Sequence, residues 1–379
     1  MHKLFSILQE RFSPIQPLPA GVYTRTLDTQ PPRRLDLRLE PDGSGIAILD
    51  ASTVLHLNPT AAEYAYHIIR GDNPEVTASV ISHRYRISRK QARQDFLAFQ
   101  EQLHTLLETP DLAPDLYLGT ESLPPYENLS APLRLDCALT YRLPENIPPE
   151  YAPTGRVKRE LETGEWKAIL QKAWQAGIPH IVFTGGEPTL RDDLPELIAC
   201  AGENGQVTGL CSLGLRLSDP PYRHTLLQTG LDHLLFLLQP ETPASWHALE
   251  TILPEDLFTT VHLTLTPDNV SAAEDYLRRL ASLSINGLSL SAATPEVHPV
   301  LTTLSDLAAN LGMDLIWDVP VPYGAANPIA LEHPPDARTL EGAGRAWLYV
   351  EPDGDVLPAQ GINRVLGNLL QDSWEDLQT

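Results

Sequence analysis

The residues best placed to do chemistry stand together at Thr184-Gly185-Gly186-Glu187-Pro188-Thr189-Leu190, directly after the apolar run His180 to Phe183. Paired glycines allow a tight turn and a close backbone approach. A carboxylate beside them can accept charge-assisted hydrogen bonds. Other reactive patterns are missing from the sequence. The twelve histidines form no HxH or HxxxH pair and none lies within a few residues of a cysteine, so no zinc-type metal site is read. No GxSxG or Walker motif occurs. The three cysteines, Cys137, Cys200 and Cys211, form no CxxC pair and lie among apolar neighbours, which reads as buried structural thiols.

The elements that must hold the glycine turn follow from periodicity. Leu133, Leu135, Cys137 and Leu139 alternate as a strand, and a Pro-rich loop runs from Leu143 to Gly155. Trp166, Ile169, Leu170 and Ala173 share a helical face, and Ile181 to Thr184 is a second strand. A helix from Asp193 to Asn204 and a strand from Val207 to Ser212 continue the order, with Ser212 placed to line a pocket at a strand end. Strand-like runs recur at Leu234 to Leu238, Thr260 to Thr266, Leu288 to Ser291 and Asp314 to Asp318. Helical segments from Ala272 to Leu283 and Val300 to Leu311 separate the later ones; Pro243 to Asp256 is short for a crossover helix. About seven strands in β/α order predict an open or partial (β/α) barrel, with its site at the strand ends.

A smaller domain precedes it, over residues 33–108. Leu35, Leu37 and Leu39 alternate with Asp36, Arg38 and Glu40; Ile46 to Leu49 and Val54 to Leu57 complete a three-stranded meander. Asn58-Pro59 opens a helix, Gly71 ends it, a second helix covers Glu75 to Tyr85, and Ser88 with Gln91 opens a third. Arg84, Arg86, Arg89, Lys90 and Arg93 form a basic cluster there. Such a cluster serves phosphate binding, an acidic peptide, or only a solvated helix end. Residues 109–132 are a Pro-rich linker. Residues 1–32 form an N-terminal segment with Leu4, Ile7, Leu8 and Phe12 at helical spacing, too interrupted for a signal peptide. The 379 residues, 42% hydrophobic and 20% charged, suit two soluble domains in the cytoplasm. A net charge of −22 disfavours nucleic acid, and no run approaches the ~20 apolar residues of a membrane span.

The stretch from Leu139 to Leu190 resembles the first βαβ unit of radical S-adenosylmethionine (SAM) enzymes, whose second strand ends in GGEP. The fold implied is a partial, TIM-like (β/α) barrel, preceded by a winged-helix-like α+β domain. Where the family carries CxxxCxxC, this chain has Leu143, Ile147 and Glu150, with Pro149 at the place of an aromatic residue. Two hydrocarbon side chains and one carboxylate cannot grip an iron–sulfur cluster as thiolates do. The resemblance therefore carries the expectation of no 4Fe–4S cluster and no required cofactor. Gly185, Gly186, Glu187 and Pro188 remain as a residual SAM site, with a purely structural turn the favoured alternative. Trp347 to Ala359 contains a Pro352-Asp353-Gly354 turn and resembles the opening of a SPASM extension, with Ala359 at the place of a cysteine; residues 319–379 read as its truncated remnant.

Residues 33–108 resemble the leader-peptide recognition element of ribosomal peptide maturation, whose type member is the small chaperone of pyrroloquinoline quinone biosynthesis. That resemblance implies a peptide added as an extra strand, with Val54, Leu55, His56, Leu57, Arg89, Lys90 and Arg93 at the contact. The expected role is to hold a precursor peptide as a scaffold, beside a competent radical SAM enzyme, without radical catalysis. The alternatives are an enzyme of polar chemistry using Glu187 or Glu150, and a winged-helix DNA-binding regulator.

Overall fold

A computed structural model describes residues 17–27, 33–49, 53–108, 129–316, 320–329 and 342–377, and the chain divides into two compact units, Met1–Ser130 and Ala131–Thr379. The expected helical pattern of the first dozen residues, most of the linker (109–128) and the end of the run Asp314 to Asp318 lie outside the described residues.

In the first unit, four antiparallel strands follow one another in space: β1 (Gly21–Leu27), β2 (Arg33–Leu39), β3 (Gly45–Leu49) and β4 (Thr53–Leu57). The sheet thus has one strand more than the expected meander, because Gly21–Leu27 pairs along the whole of β2. Helices α1 (Pro59–Arg70), α2 (Pro74–Tyr85) and α3 (Arg89–Glu108) follow. Local chemistry sets their ends. The Asn58 side chain accepts from the Ala61 N–H, Pro59 occupies the first turn, and Gly71 closes α1 in the left-handed conformation at φ 73°. Ser88 Oγ accepts from the Gln91 N–H at 3.1 Å, the expected half of a capping box. Leu35, Leu37, Ala47, Ala65, Ile81 and Phe96 form a core that is almost wholly dry.

The second unit is a partial (β/α) barrel. Strands β5 (Arg134–Thr140), β6 (His180–Gly185), β7 (Val207–Ser212), β8 (His233–Leu237), β9 (Phe258–Leu265) and β10 (Gly287–Ala292) pair in parallel, each with its successor in sequence. The crossovers carry α4 (Thr163–Gln175), α5 (Leu194–Asn204), α6 (Pro220–Leu227), α7 (Pro243–Ile252), α8 (Ala273–Ser282) and α9 (Val300–Asn310). Helix α7 does span its connection in ten residues; α6 and its two opening prolines, Pro220-Pro221, were not foreseen. The run beginning at Asp314 contributes one isolated bridge, Leu288 to Leu315, among the described residues. Beyond β5 the sheet continues with β11 (Trp347–Val350), parallel to it, then β12 (Asp355–Leu357) and β13 (Gly367–Asn368) antiparallel. The Pro352-Asp353-Gly354 hairpin forms as expected, with Gly354 at φ 90°. Helix α10 (Trp374–Leu377) follows.

Inward-facing side chains fill the barrel in two chemistries. Val182, Cys211, Leu235 and Leu237 make an apolar interior cluster. At the opening ends of the strands, His180 and His233 face each other, Nε2 to Nε2 at 3.2 Å, and Gly209 leaves the space for the second ring. Burial holds both imidazoles below their usual pKa, His233 at about 4. The buried Asp136 pairs with Arg134 beside them at 2.8 Å.

Candidate functional site

The glycine turn sits at the carboxyl end of β6 and is stitched to the end of β5. Gly186 N–H donates to Thr140 O at 2.8 Å, and Glu187 N–H donates to Arg142 O at 2.9 Å. The approach is too close for any side chain. A Cβ at Gly185 would lie 2.2 Å from Thr140 O, and one at Gly186 would lie 2.4 Å from Arg142 O. Gly185 also holds φ 134°, which other residues rarely adopt. The two glycines are therefore required by backbone packing alone.

Glu187 is 4% exposed, and both its oxygens are already engaged. Oε1 accepts from the Thr189 N–H at 3.0 Å, Thr189 Oγ1 at 2.5 Å and Ser212 Oγ at 2.7 Å; Oε2 accepts from the Leu213 N–H at 2.8 Å. Burial raises its pKa against the pull of these donors. The carboxylate ties the end of β6 to the end of β7, and Pro188 starts the turn that carries Thr189. Ser212 enters the site through this bond.

The loop after β5 takes the opposite course. Ile147 is buried, Leu143 is half-buried, and Glu150 is exposed. Leu143 packs on a cluster of Ala138, Tyr141, Ala152, Tyr323, Tyr349 and Leu357. Tyr141 donates to Glu351 Oε1 at 2.8 Å and Arg156 donates to the same oxygen at 3.1 Å. Nothing local in the sequence announces this network, since Tyr141 and Glu351 lie 210 positions apart. Ala359 is buried near the hairpin. The cysteines stand elsewhere: Cys137 in β5 and Cys211 in β7 are buried with their thiols pushed up in pKa by desolvation, and Cys200 lies on α5. The donor set of this loop, Leu143, Ile147 and Glu150, does not fit a thiolate-held cluster. Among the described residues, the one group of three potential metal ligands is Glu351, Asp353 and Asp355, at the hairpin turn.

In the first unit, β4 is one edge of the sheet and β1 the other. Leu55 and Leu57 point into the core, His56 is half-buried, and the side chain of Val54 lies outside the described residues. Arg89, Lys90 and Arg93 are exposed at the start of α3, where Arg89 and Arg93 both pair with Glu75, at 3.4 and 2.7 Å. A groove of about 600 Å³ opens at the other edge, between β1 and the middle of α3. Leu27, Ile68, Phe96 and Leu103 contribute to it, and Arg25 and Asp72 stand at its polar side. Sequence reading missed this groove together with β1.

No family model matches the chain. The sequence is 27% identical to the PqqA peptide cyclase of Streptomyces rochei over 268 residues, covering 61% of this chain and 70% of that one. It is also 27% identical to the PqqA peptide cyclase of Rhodopseudomonas palustris over 274 residues, covering 64% of this chain and 70% of the relative. Among solved structures, Streptococcus suis SuiB bound to S-adenosylmethionine superposes with a TM-score of 0.60 at 13% identity, covering 94% of this chain and 88% of that one. SuiB bound to its precursor peptide SuiA gives a TM-score of 0.58 at 13% identity, covering 96% and 88%. The expectation that the chain takes no cofactor is thereby overturned, since a protein of the same fold was solved with S-adenosylmethionine bound. The absence of thiols concerns the loop after β5, whereas the glycine turn after β6 is present. The fold is that of radical SAM proteins, and the sequence is similar to that of peptide-modifying ones.

Proposed function

We propose that this chain binds a precursor peptide through its first unit and SAM at Gly185, Gly186, Glu187 and Pro188 of its second, and serves as a presentation partner in ribosomal peptide maturation. The observation that carries it is the pairing, in one chain, of a sheet edge, β1, that no described strand covers and a groove flanks, with the glycine turn at the end of β6. The likeness to a precursor-bound SuiB supports the peptide, and the likeness to a SAM-bound SuiB supports the cofactor.

An extended peptide added to a sheet edge gains backbone hydrogen bonds, and neighbouring pockets choose its side chains. The β1 edge is favoured over β4 because the groove beside α3 lies there. The basic residues Arg89 and Arg93 already face Glu75, which lowers their claim both to an acidic peptide and to DNA. At the second site the backbone of Gly185 and Gly186 would meet the ligand, and Glu187 would hold that backbone in place, its own oxygens being taken. SAM supplies an electrophilic sulfonium when bound; the chain's part is to orient it and exclude water.

Fluorescence anisotropy with labelled candidate leader peptides tests the first half. A replacement of Leu27 by Lys should weaken binding at least roughly tenfold, while replacement of Arg89 and Arg93 by Ala should change it little. Peptides that fail to bind at all, or that respond only to the α3 arginines, would count against this placement.

A further inference from the structure

At the carboxyl ends of the barrel strands, residues Val321 and Tyr323 of the segment 320–329 lie against the barrel. Val321 packs down on the interior cluster of Val182, Cys211, Leu235 and Leu237. Two residues on, Tyr323 donates its backbone N–H to Gly185 O at 2.9 Å. Its ring, 3% exposed, meets Tyr141 edge-on at 5.5 Å between centroids. Two side-chain amides fix the segment: Asn327 Nδ2 and Gln360 Nε2 both donate to Val321 O, at 2.6 and 2.7 Å. A short reversal, Gly324 and Asn327 exchanging backbone bonds at 3.2 Å, returns the chain.

The carbonyl that this segment takes belongs to the first glycine of the turn assigned above to SAM. The carbonyl at the end of the strand accepts the Tyr323 N–H on one of its two lone pairs, and the Tyr323 backbone stands on the side from which a ligand at this turn would approach it. Likewise, the interior surface beneath Val321 is apolar and cannot be covered by the segment and by a bound molecule at once.

We infer that residues 320–329 are a strap that occupies the SAM site of this same chain, and that SAM enters only by displacing Tyr323 from Gly185 and Val321 from the barrel interior. This rests on the reading of Gly185 and Gly186 as a SAM site. Affinity is then reduced by the fraction of molecules whose strap is closed. Asn327 and Gln360 set that fraction, being the side chains that hold Val321 O.

The test uses the full chain, SAM itself and two readouts. Calorimetry compares the wild type with the N327A/Q360A double variant, and hydrogen exchange follows the Tyr323 amide in the wild type with and without SAM. Loss of two amide–carbonyl bonds should tighten SAM binding about tenfold. Saturating SAM should also speed exchange at Tyr323. Equal affinities with a Tyr323 amide still protected in the complex would overturn the strap while leaving the SAM site standing. No binding by either protein would overturn the SAM site and, with it, the role of the strap. The exchange readout needs no variant, so poor folding of the double variant does not rescue the inference.

Discussion

Two neighbouring connections of the barrel, the loop after β5 and the turn after β6, have been held to different standards. The turn keeps Gly185 and Gly186 because Thr140 O and Arg142 O stand where any Cβ would be. The loop shows a buried Ile147, a half-buried Leu143 and an exposed Glu150. A backbone constraint holds whatever the site binds, whereas the side chains of the loop answer to packing and to solvent. The turn is thus fixed by its own backbone packing as well as by any ligand it takes, and the engaged oxygens of Glu187 make the same point at the level of a side chain.

Substitutions at the two connections can break or sharpen this contrast. Gly185→Ala should cost roughly 4 kcal/mol or prevent folding, because strain at φ 134° adds to a clash with backbone that cannot swing aside. A urea midpoint close to the wild type would remove the basis of the comparison. Next comes Ile147→Ala, expected to cost about 3 kcal/mol for a buried side chain, read as a lowered thermal midpoint.

Glu187→Gln should cost about 2 kcal/mol, since an amide cannot accept all four donors and its NH₂ would face some of them. The pH dependence sharpens that result. Burial lifts the folded-state pKa of Glu187 above 4.5, so the folded chain holds the proton more tightly than the unfolded one. That contribution is complete below the unfolded pKa and is lost as pH rises through the raised value. The gap between wild type and variant should therefore widen on acidification, and denaturant titrations at acidic and neutral pH would show whether it does. Smallest of all, Glu150→Ala should stay within about 0.5 kcal/mol of wild type, as an exposed loop position does. A larger change in melting temperature would mean that this carboxylate has a task the structure does not display.

Much of this was legible from the chain. Asn58-Pro59, Gly71 and Pro352-Asp353-Gly354 encode their own geometry, because caps and tight turns are decided by a few consecutive residues. The parallel barrel was readable from the alternation of apolar runs with helical stripes, although Asp314 to Asp318 carries a strand's pattern and contributes, among the described residues, a single bridge at Leu315. Strand β1 escaped notice because Gly21-Val22-Tyr23-Thr24-Arg25-Thr26-Leu27 mixes its faces: as an edge strand, it buries none of its residues fully. The site was harder. That Ser212 and the Leu213 N–H come to Glu187, or that Tyr323 comes to Gly185, is settled by tertiary contacts between distant segments, for which spacing offers no sign.

The opposing imidazoles at the far end of the barrel carry a consequence of their own. With Nε2 of His180 and Nε2 of His233 only 3.2 Å apart, a single hydrogen has to lie between them, so one ring must be the Nε2–H tautomer and the other the Nδ1–H tautomer. Two chemically identical side chains thereby become unlike partners, a donor and an acceptor. Nitrogen NMR should find them so, with one Nε2 resonance in the protonated range and the other in the bare range. Gly209 is the residue that permits this arrangement, since a methyl group there would meet the His233 ring at 2.2 Å and part the pair.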